Sequence, residues 1–330
     1  MLARTSTLQH PRGMAVNTPL LLPSFSSKGY GFANGVSEVD DAVEACSGWL
    51  TEPMLMSAYD LYYKHIPFFW RLQVSPPLVF VDSGGYETSL EYELSATYKS
   101  PQSPKKWSEE MLNSVLKSWP AQIPGVFVNF DSTRRKLPKQ ISAARDFFRQ
   151  YPEQLHDIIL KPEKGDYLDI ESVLDNIADL DSFHIIGMTE KELAGTMLER
   201  LENIARVRQA LDKAGIRSPL HIFGGLDPLS SSLYFIAGAE IFDGLTWLRY
   251  SYLRGMAVYK HNFAAISIGL EPDNDFIKVQ SMVWNMQCMQ QLRTEMKGYA
   301  QTEDFTCFRD NGEIIERAYR SLASKLGGEA

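Results

Sequence analysis

Two aspartates stand where apolar runs stop. Asp82 closes LVFVD ahead of Ser83-Gly84-Gly85-Tyr86, and Asp243 closes EIFD ahead of Gly244. Paired carboxylates suit displacement at the anomeric carbon of a sugar. One attacks to form a covalent sugar–enzyme intermediate, while the other moves protons on the departing and arriving groups. An acid in that second role needs a raised pKa, so Asp82 is expected to titrate above the ordinary carboxylate range when the pocket closes. The Ser83-Gly84-Gly85 stretch lets a planar ligand approach bare backbone. Tyr86 would supply one flat face, and Phe223, just before Gly224-Gly225, is a candidate for the other; ordinary core packing is the alternative for both. Asp131 ends VFVNFD. Its carboxylate could accept two parallel N–H bonds, such as those of guanine N1–H and the 2-amino group. It could equally cap the next segment or pair with Arg134 or Arg135.

These residues need elements that bring them together. Eight short apolar runs are strand candidates: Pro19–Ser26, Pro53–Tyr59, Leu78–Asp82, Val126–Asp131, Asp157–Lys161, His184–Met188, Leu220–Phe223 and Glu240–Leu245. Amphipathic stretches separate most of them. SEEMLNSVLKSW has Ser108 as N-cap with acids in its first turn. ISAARDFFRQY follows, and TEKELAGTMLERLENIARVRQALDKAG reads as one long helix from a Thr189 cap to Gly215. Alternating strands and helices suit parallel pairing with both faces covered, and eight strands can close a (β/α)8 TIM barrel. A doubly wound open sheet is the competing arrangement, but no GxGxxG follows the first strand. In a barrel, Asp82, Asp131, Lys161, Gly187, Gly224 and Asp243 all fall near strand ends, where barrel active sites are built. Residues 1–16 and 324–330 read as loose ends around one barrel domain, residues 17–330, with a helical segment from about 271.

Composition narrows the class. Apolar residues make up 44% of the 330 and charged residues 22%, the balance of a soluble globular chain. No apolar run reaches the ~18–20 residues of a membrane span. Cys46, Cys288 and Cys307 are too scattered for a disulfide framework, so a reducing cytoplasm is expected. A net charge of −8 argues against non-specific coating of nucleic acid and leaves room for a local basic groove. His184 and His221, at or within strands, read as core histidines. Met282, Trp284, Met286 and Met289 read as helix packing, and Cys288 among them as inert.

The motifs resemble a known family. VDSGGYE is similar to the LDSGGFQ-type motif of the tRNA-guanine transglycosylase superfamily. HIFGGLDPLSSSLYFIAGAEIFDGLTWLRY resembles its segment of glycines, proline, helix, Phe-Asp pair and later arginine. Phe223 lies 20 residues before Asp243 and Arg249 lies six after it, as in the family pattern. VFVNFD, SFHIIGMTEKE and PLLLPSFSSKG through AYDLYY carry weaker similarity, so the resemblance covers roughly residues 18 to 255. It implies a (β/α)8 barrel that exchanges guanine for a 7-deazaguanine without a cofactor. It also implies that Asp243 attacks C1′ and Asp82 is the general acid/base. Asp131 and the Gly187 backbone would recognise the base, Tyr86 and Phe223 would stack on it, and Arg249 would lie near the substrate backbone. Double displacement retains configuration, and the target nucleotide must leave its stack.

Two departures bear on that transfer. The family's CxCxxC zinc group with a distant histidine has no counterpart, because only Cys288 and Cys307 follow Asp243 and no histidine follows His261. No structural metal is therefore expected. Lys161, in IILKPEKG, stands where the family usually places glutamine; it could neutralise Asp131 or contact another substituent on the base. Glu87, in place of a second glutamine, could be a substrate contact. LTWLRYSYLRG interleaves aromatics with Arg249 and Arg254, and STRRKLPK adds Arg134, Arg135 and Lys136; both could hold a nucleic-acid backbone. Family members that act on tRNA often carry an extra RNA-binding domain. Its absence here, with that of the zinc lobe, favours DNA over tRNA, and partner proteins of a modification complex could add binding surface. Two alternatives stand beside transglycosylation. One is an N-glycoside hydrolase using the same carboxylates, and the other a non-catalytic subunit that binds a deazaguanine or nucleic acid.

Overall fold

The computed structural model describes residues 2–73, 75–88, 103–131 and 133–327. Eight parallel strands, at the eight predicted runs, close into a barrel: β1 Leu20–Phe25, β2 Met54–Ser57, β3 Val79–Asp82, β4 Gly125–Val128, β5 Leu155–Leu160, β6 Ile185–Thr189, β7 Leu220–Phe223 and β8 Ile241–Gly244. Each strand pairs with its neighbours in chain order. The ladder between β8 and β1, with Asp243 opposite Leu22, decides for the closed barrel over an open sheet.

The two-residue period of a strand divides the apolar side chains between two layers. Leu20, Leu22, Phe80, Val126, Val128 and Ile159 meet inside the barrel. Their alternates, among them Leu21, Val79, Val81, Ile158 and Phe242, pack outward against the helices. That alternation also sets the site. The inward parity that buries Phe80 carries Asp82 to the mouth, and the parity that buries Ile241 carries Asp243 there.

Residues 2–16, expected as a loose end, are corrected to an ordered plug. Thr7–Gln9 pairs antiparallel with Ala15–Asn17, and Leu8, backed by Met14 and Val16, joins the inner apolar cluster. Arg4 pins the segment, reaching Glu240 at 2.8 Å and Asp212 at 2.7 Å. The stretch from Thr189 to Gly215 is likewise two helices, Glu190–Leu193 and Met197–Lys213, because Ala194 is fully extended. Gly195 is a poor helix former, whereas Thr196 and Glu199 make a reciprocal capping pair at 2.7 and 3.3 Å. Thr196 is thus the cap of the long helix.

After β8 the chain is clamped from the C-terminal side. Helix Asn274–Thr302 presents Asn285, which donates to Trp247 O at 2.7 Å and Tyr250 O at 2.8 Å and accepts from Tyr252 N–H at 2.7 Å. Met282 and Met289 are buried along the same helix, as packing residues. That clamp fixes the Trp247–Tyr252 segment and with it Arg249. Among the described residues, no helix is long and apolar enough to cross a membrane.

Candidate active site

Asp243 is buried at the mouth and held on both carboxylate oxygens. Ser24 of β1 donates its Oγ–H to Oδ2 at 2.9 Å, and the Gly224 N–H donates to Oδ1 at 3.0 Å. Ser24 is itself fixed, accepting from Gly244 N–H at 2.9 Å while its carbonyl accepts from Trp247 Nε1 at 3.0 Å. Gly224 has φ +83°, a backbone state that glycine adopts without strain, and this turns its N–H toward the carboxylate. The result is a carboxylate aimed by three strands.

Asp82 sits in a different environment. Burial raises its pKa to about 7, and the charges of Asp131 and Asp243 add to the effect against the hydrogen bond from Gly84 N–H. Part of its surface faces the mouth, but protein crowds the carboxyl closely enough to disfavour its ionised form. The expected raised pKa is therefore present without a ligand. Next to it, Gly84 has φ +81°, and a Cβ there would meet Trp107 and Tyr59 at 2.9 Å. A Cβ on Gly85 would strike the Asp131 carboxylate. The glycines are required by packing as well as by access.

Asp131 is shared between two donors. Ser83 Oγ donates to Oδ1 at 2.5 Å, and the Lys161 ammonium lies 3.2 Å from Oδ2. Lys161 also meets Glu192 at 3.2 Å and Thr189 Oγ1 at 3.1 Å. Burial works against its charge, yet Asp131 and Glu192 raise its pKa. Lys161 thus neutralises Asp131 and ties β4, β5 and β6 together at the mouth.

Tyr86 follows Asp82 in the short helix Gly85–Thr88; Lys28 lies 4.5 Å from its ring centroid, and Arg249 donates to its hydroxyl at 3.0 Å. Phe223 is buried and stacks on His221 with centroids 3.8 Å apart. Gly187 lets that ring approach, since a Cβ there would collide with Phe223 and lie 2.9 Å from Asp157 Oδ1. Glu87 is buried beside them. It accepts from Ser26, and burial, with Asp60 and Asp82 nearby, raises its pKa to about 8, leaving it neutral at physiological pH.

His221 is a buried, hydrogen-bonded core histidine, as expected, and it also joins a polar column beneath Asp243. Its Nδ1 lies 2.7 Å from Asp157 Oδ2 and its Nε2 lies 3.3 Å from Asp243 Oδ1. Burial opposes its charge, but Asp157 and then Asp243 raise its pKa to about 9. Strand parity marks this face: Asp157 precedes Lys161 by four residues and His221 precedes Phe223 by two. His184, the other presumed core histidine, is exposed and accepts from His156 N–H at 3.1 Å.

The arginines divide. Arg249 belongs to the cluster through Tyr86 and Lys28. Arg134 and Arg135 are exposed in the loop after β4, next to Asp131. Arg254 instead lines a cavity of about 450 Å³ with Trp284, Gln287, Gln291 and Asn311, whose lining shares no residue with the carboxylate cluster. Among the described residues, no group of three or more histidine, cysteine or acidic side chains is arranged to hold a metal ion. No protein-family model matches the chain, and no curated protein matches it significantly.

Proposed function

We propose that the protein is a transglycosylase that exchanges guanine in a nucleic acid for a 7-deazaguanine, with DNA favoured over tRNA. The observation that carries this is the division of labour between two carboxylates at one mouth. Asp82 can be a proton donor near neutral pH, while Asp243 is held by oriented donors as an attacking group.

In the first half-reaction an Asp243 oxygen bonds C1′ of the target nucleotide as the C1′–N9 bond breaks. The electron pair leaves with guanine, and the Asp82 proton passes to the departing purine. Asp82, now a carboxylate, takes the N9 proton of the incoming base. That N9 bonds C1′, and Asp243 departs as a carboxylate. Two inversions give retention. Tyr86 and Phe223 would flank the base, with Asp131, Lys161 and the Gly187 backbone reading its edge. Arg249, Arg134 and Arg135 would hold phosphates, which is how a protein of negative net charge could still engage nucleic acid locally.

The test is incorporation of labelled guanine or 7-cyano-7-deazaguanine into DNA and into tRNA, with wild type and Asp243→Ala. Label entering DNA only with Asp243 intact supports the reading as stated; entry into tRNA alone reverses the polymer. Base binding without label in either polymer would favour a binding subunit. Accumulating abasic sites would favour a hydrolase.

A further inference from the structure

We infer that the buried Asp157–His221 pair is a positioning device for Asp243, in which a doubly protonated imidazole bridges the two carboxylates and holds the upper one turned so that Oδ2 attacks. What the device is used for rests on the transglycosylase reading; its charge state does not.

Neutral imidazole has one N–H and one lone pair. Here a carboxylate oxygen faces each ring nitrogen, at 2.7 Å from Nδ1 and 3.3 Å from Nε2. With both aspartates ionised, a neutral ring would turn a lone pair on one of them. Two N–H groups turn a proton toward each oxygen: the Nδ1 contact is a hydrogen bond, and Nε2 meets Asp243 as an ion pair at 3.3 Å. Asp157 and His221 have no solvent exposure and lie within the inner apolar layer of the barrel, His221 between Phe80 and Phe223. Buried charged pairs are weak stabilisers compared with apolar packing. Packing alone therefore gives no reason for an acid and an imidazole there, whereas service to the carboxylate above does.

The surroundings hold the ring in one orientation. The charged groups facing it are Asp157 from β5 and Asp243 from β8. Phe223 stacks on it at 3.8 Å and Phe80 of β3 stands edge-on at 5.6 Å. On Asp243, Oδ1 is engaged by Gly224 N–H and faces His221, whereas Oδ2 has the single hydrogen bond from Ser24. Oδ2 is the less committed oxygen and so the attacking one. When the sugar ester breaks, charge returns to a carboxylate that already has a cation beneath it, which makes Asp243 a better leaving group.

The charge state is read by 15N-histidine NMR of the wild-type protein near neutral pH, with His221 assigned by its loss in His221→Gln. The expected result is two protonated ring nitrogens; a ring with one bare nitrogen would overturn the inference whatever the protein catalyses. The use of that charge is read in Asp157→Asn, which keeps the shape and removes the lower charge. Single-turnover formation of the Asp243 adduct should slow by at least about tenfold, while guanine affinity stays within about twofold. An unchanged rate, or an equal loss of base affinity, would overturn the positioning role. A wild-type protein that forms no adduct with any guanine-containing nucleic acid refutes the transglycosylase reading, and the NMR result still decides the device.

Discussion

Asp82→Asn is expected to make the protein more stable as it makes it inactive. The carboxyl is raised from 3.8 to about 7 by burial and by the charges of Asp131 and Asp243. The folded state therefore holds the proton more tightly than the unfolded chain. Stability from this group is complete below the unfolded value and is lost as the pH rises through about 7. A shift of about three units at ~1.4 kcal/mol each sets a ceiling near 4 kcal/mol, which the side chain's partial exposure at the mouth reduces to roughly 1–3 kcal/mol. Asparagine has no charge to bury. The variant should exceed wild type by about that amount at roughly pH 8, and by somewhat under half of it at roughly pH 5. For 330 residues, 2 kcal/mol corresponds to about 3 °C in Tm. His221 titrates in both proteins, whereas Glu87, whose pKa the Asp82 charge helps raise, ionises more easily in the variant and adds to the difference at roughly pH 8. Paired urea or thermal melts at the two pH values measure it. A variant that is less stable at both, with no pH dependence in the difference, would refute the assignment of Asp82 as a strained acid.

Gly187→Ala should cost about 1–3 kcal/mol in urea unfolding, because the new methyl group collides with Phe223 and crowds Asp157. Lys161→Gln should destabilise the fold by about 2–4 kcal/mol, since Asp131 and Glu192 lose their shared cation. Adding Glu192→Gln should restore part of that loss in a double-mutant cycle. Ser24→Ala should leave base affinity unchanged and slow the single-turnover step by roughly tenfold, as one net hydrogen bond to Asp243 disappears.

The barrel was readable because its strands are short, apolar and spaced by amphipathic helices. The same pattern places Asp82 and Asp243 at strand ends, and the structure brings both to one mouth. The column under Asp243 was not readable as a unit. Asp157 and His221 are 64 residues apart, and only the pairing of β6 with both neighbours puts β5 and β7 on either side of it. Parity marks both as inward but does not say that the two side chains meet. The N-terminal plug escaped for a related reason. Thr7–Gln9 is too short to show a period, and its order comes from Leu8 entering a core built by distant strands. Arg254 looked equivalent to Arg249 in a run of alternating aromatics and cations, yet the left-handed turn at Arg254-Gly255 sends it toward the C-terminal helices.

The most direct test of the central claim is to trap the covalent intermediate. Wild-type protein and Asp243→Asn would be incubated with guanine-containing oligonucleotide, denatured, and mapped by peptide mass spectrometry. A base-free sugar ester of the oligonucleotide on Asp243 of the wild type alone, lost when a 7-deazaguanine is added before quenching, is the predicted result. An adduct on another residue, or base exchange that proceeds unchanged in Asp243→Asn, would contradict the account.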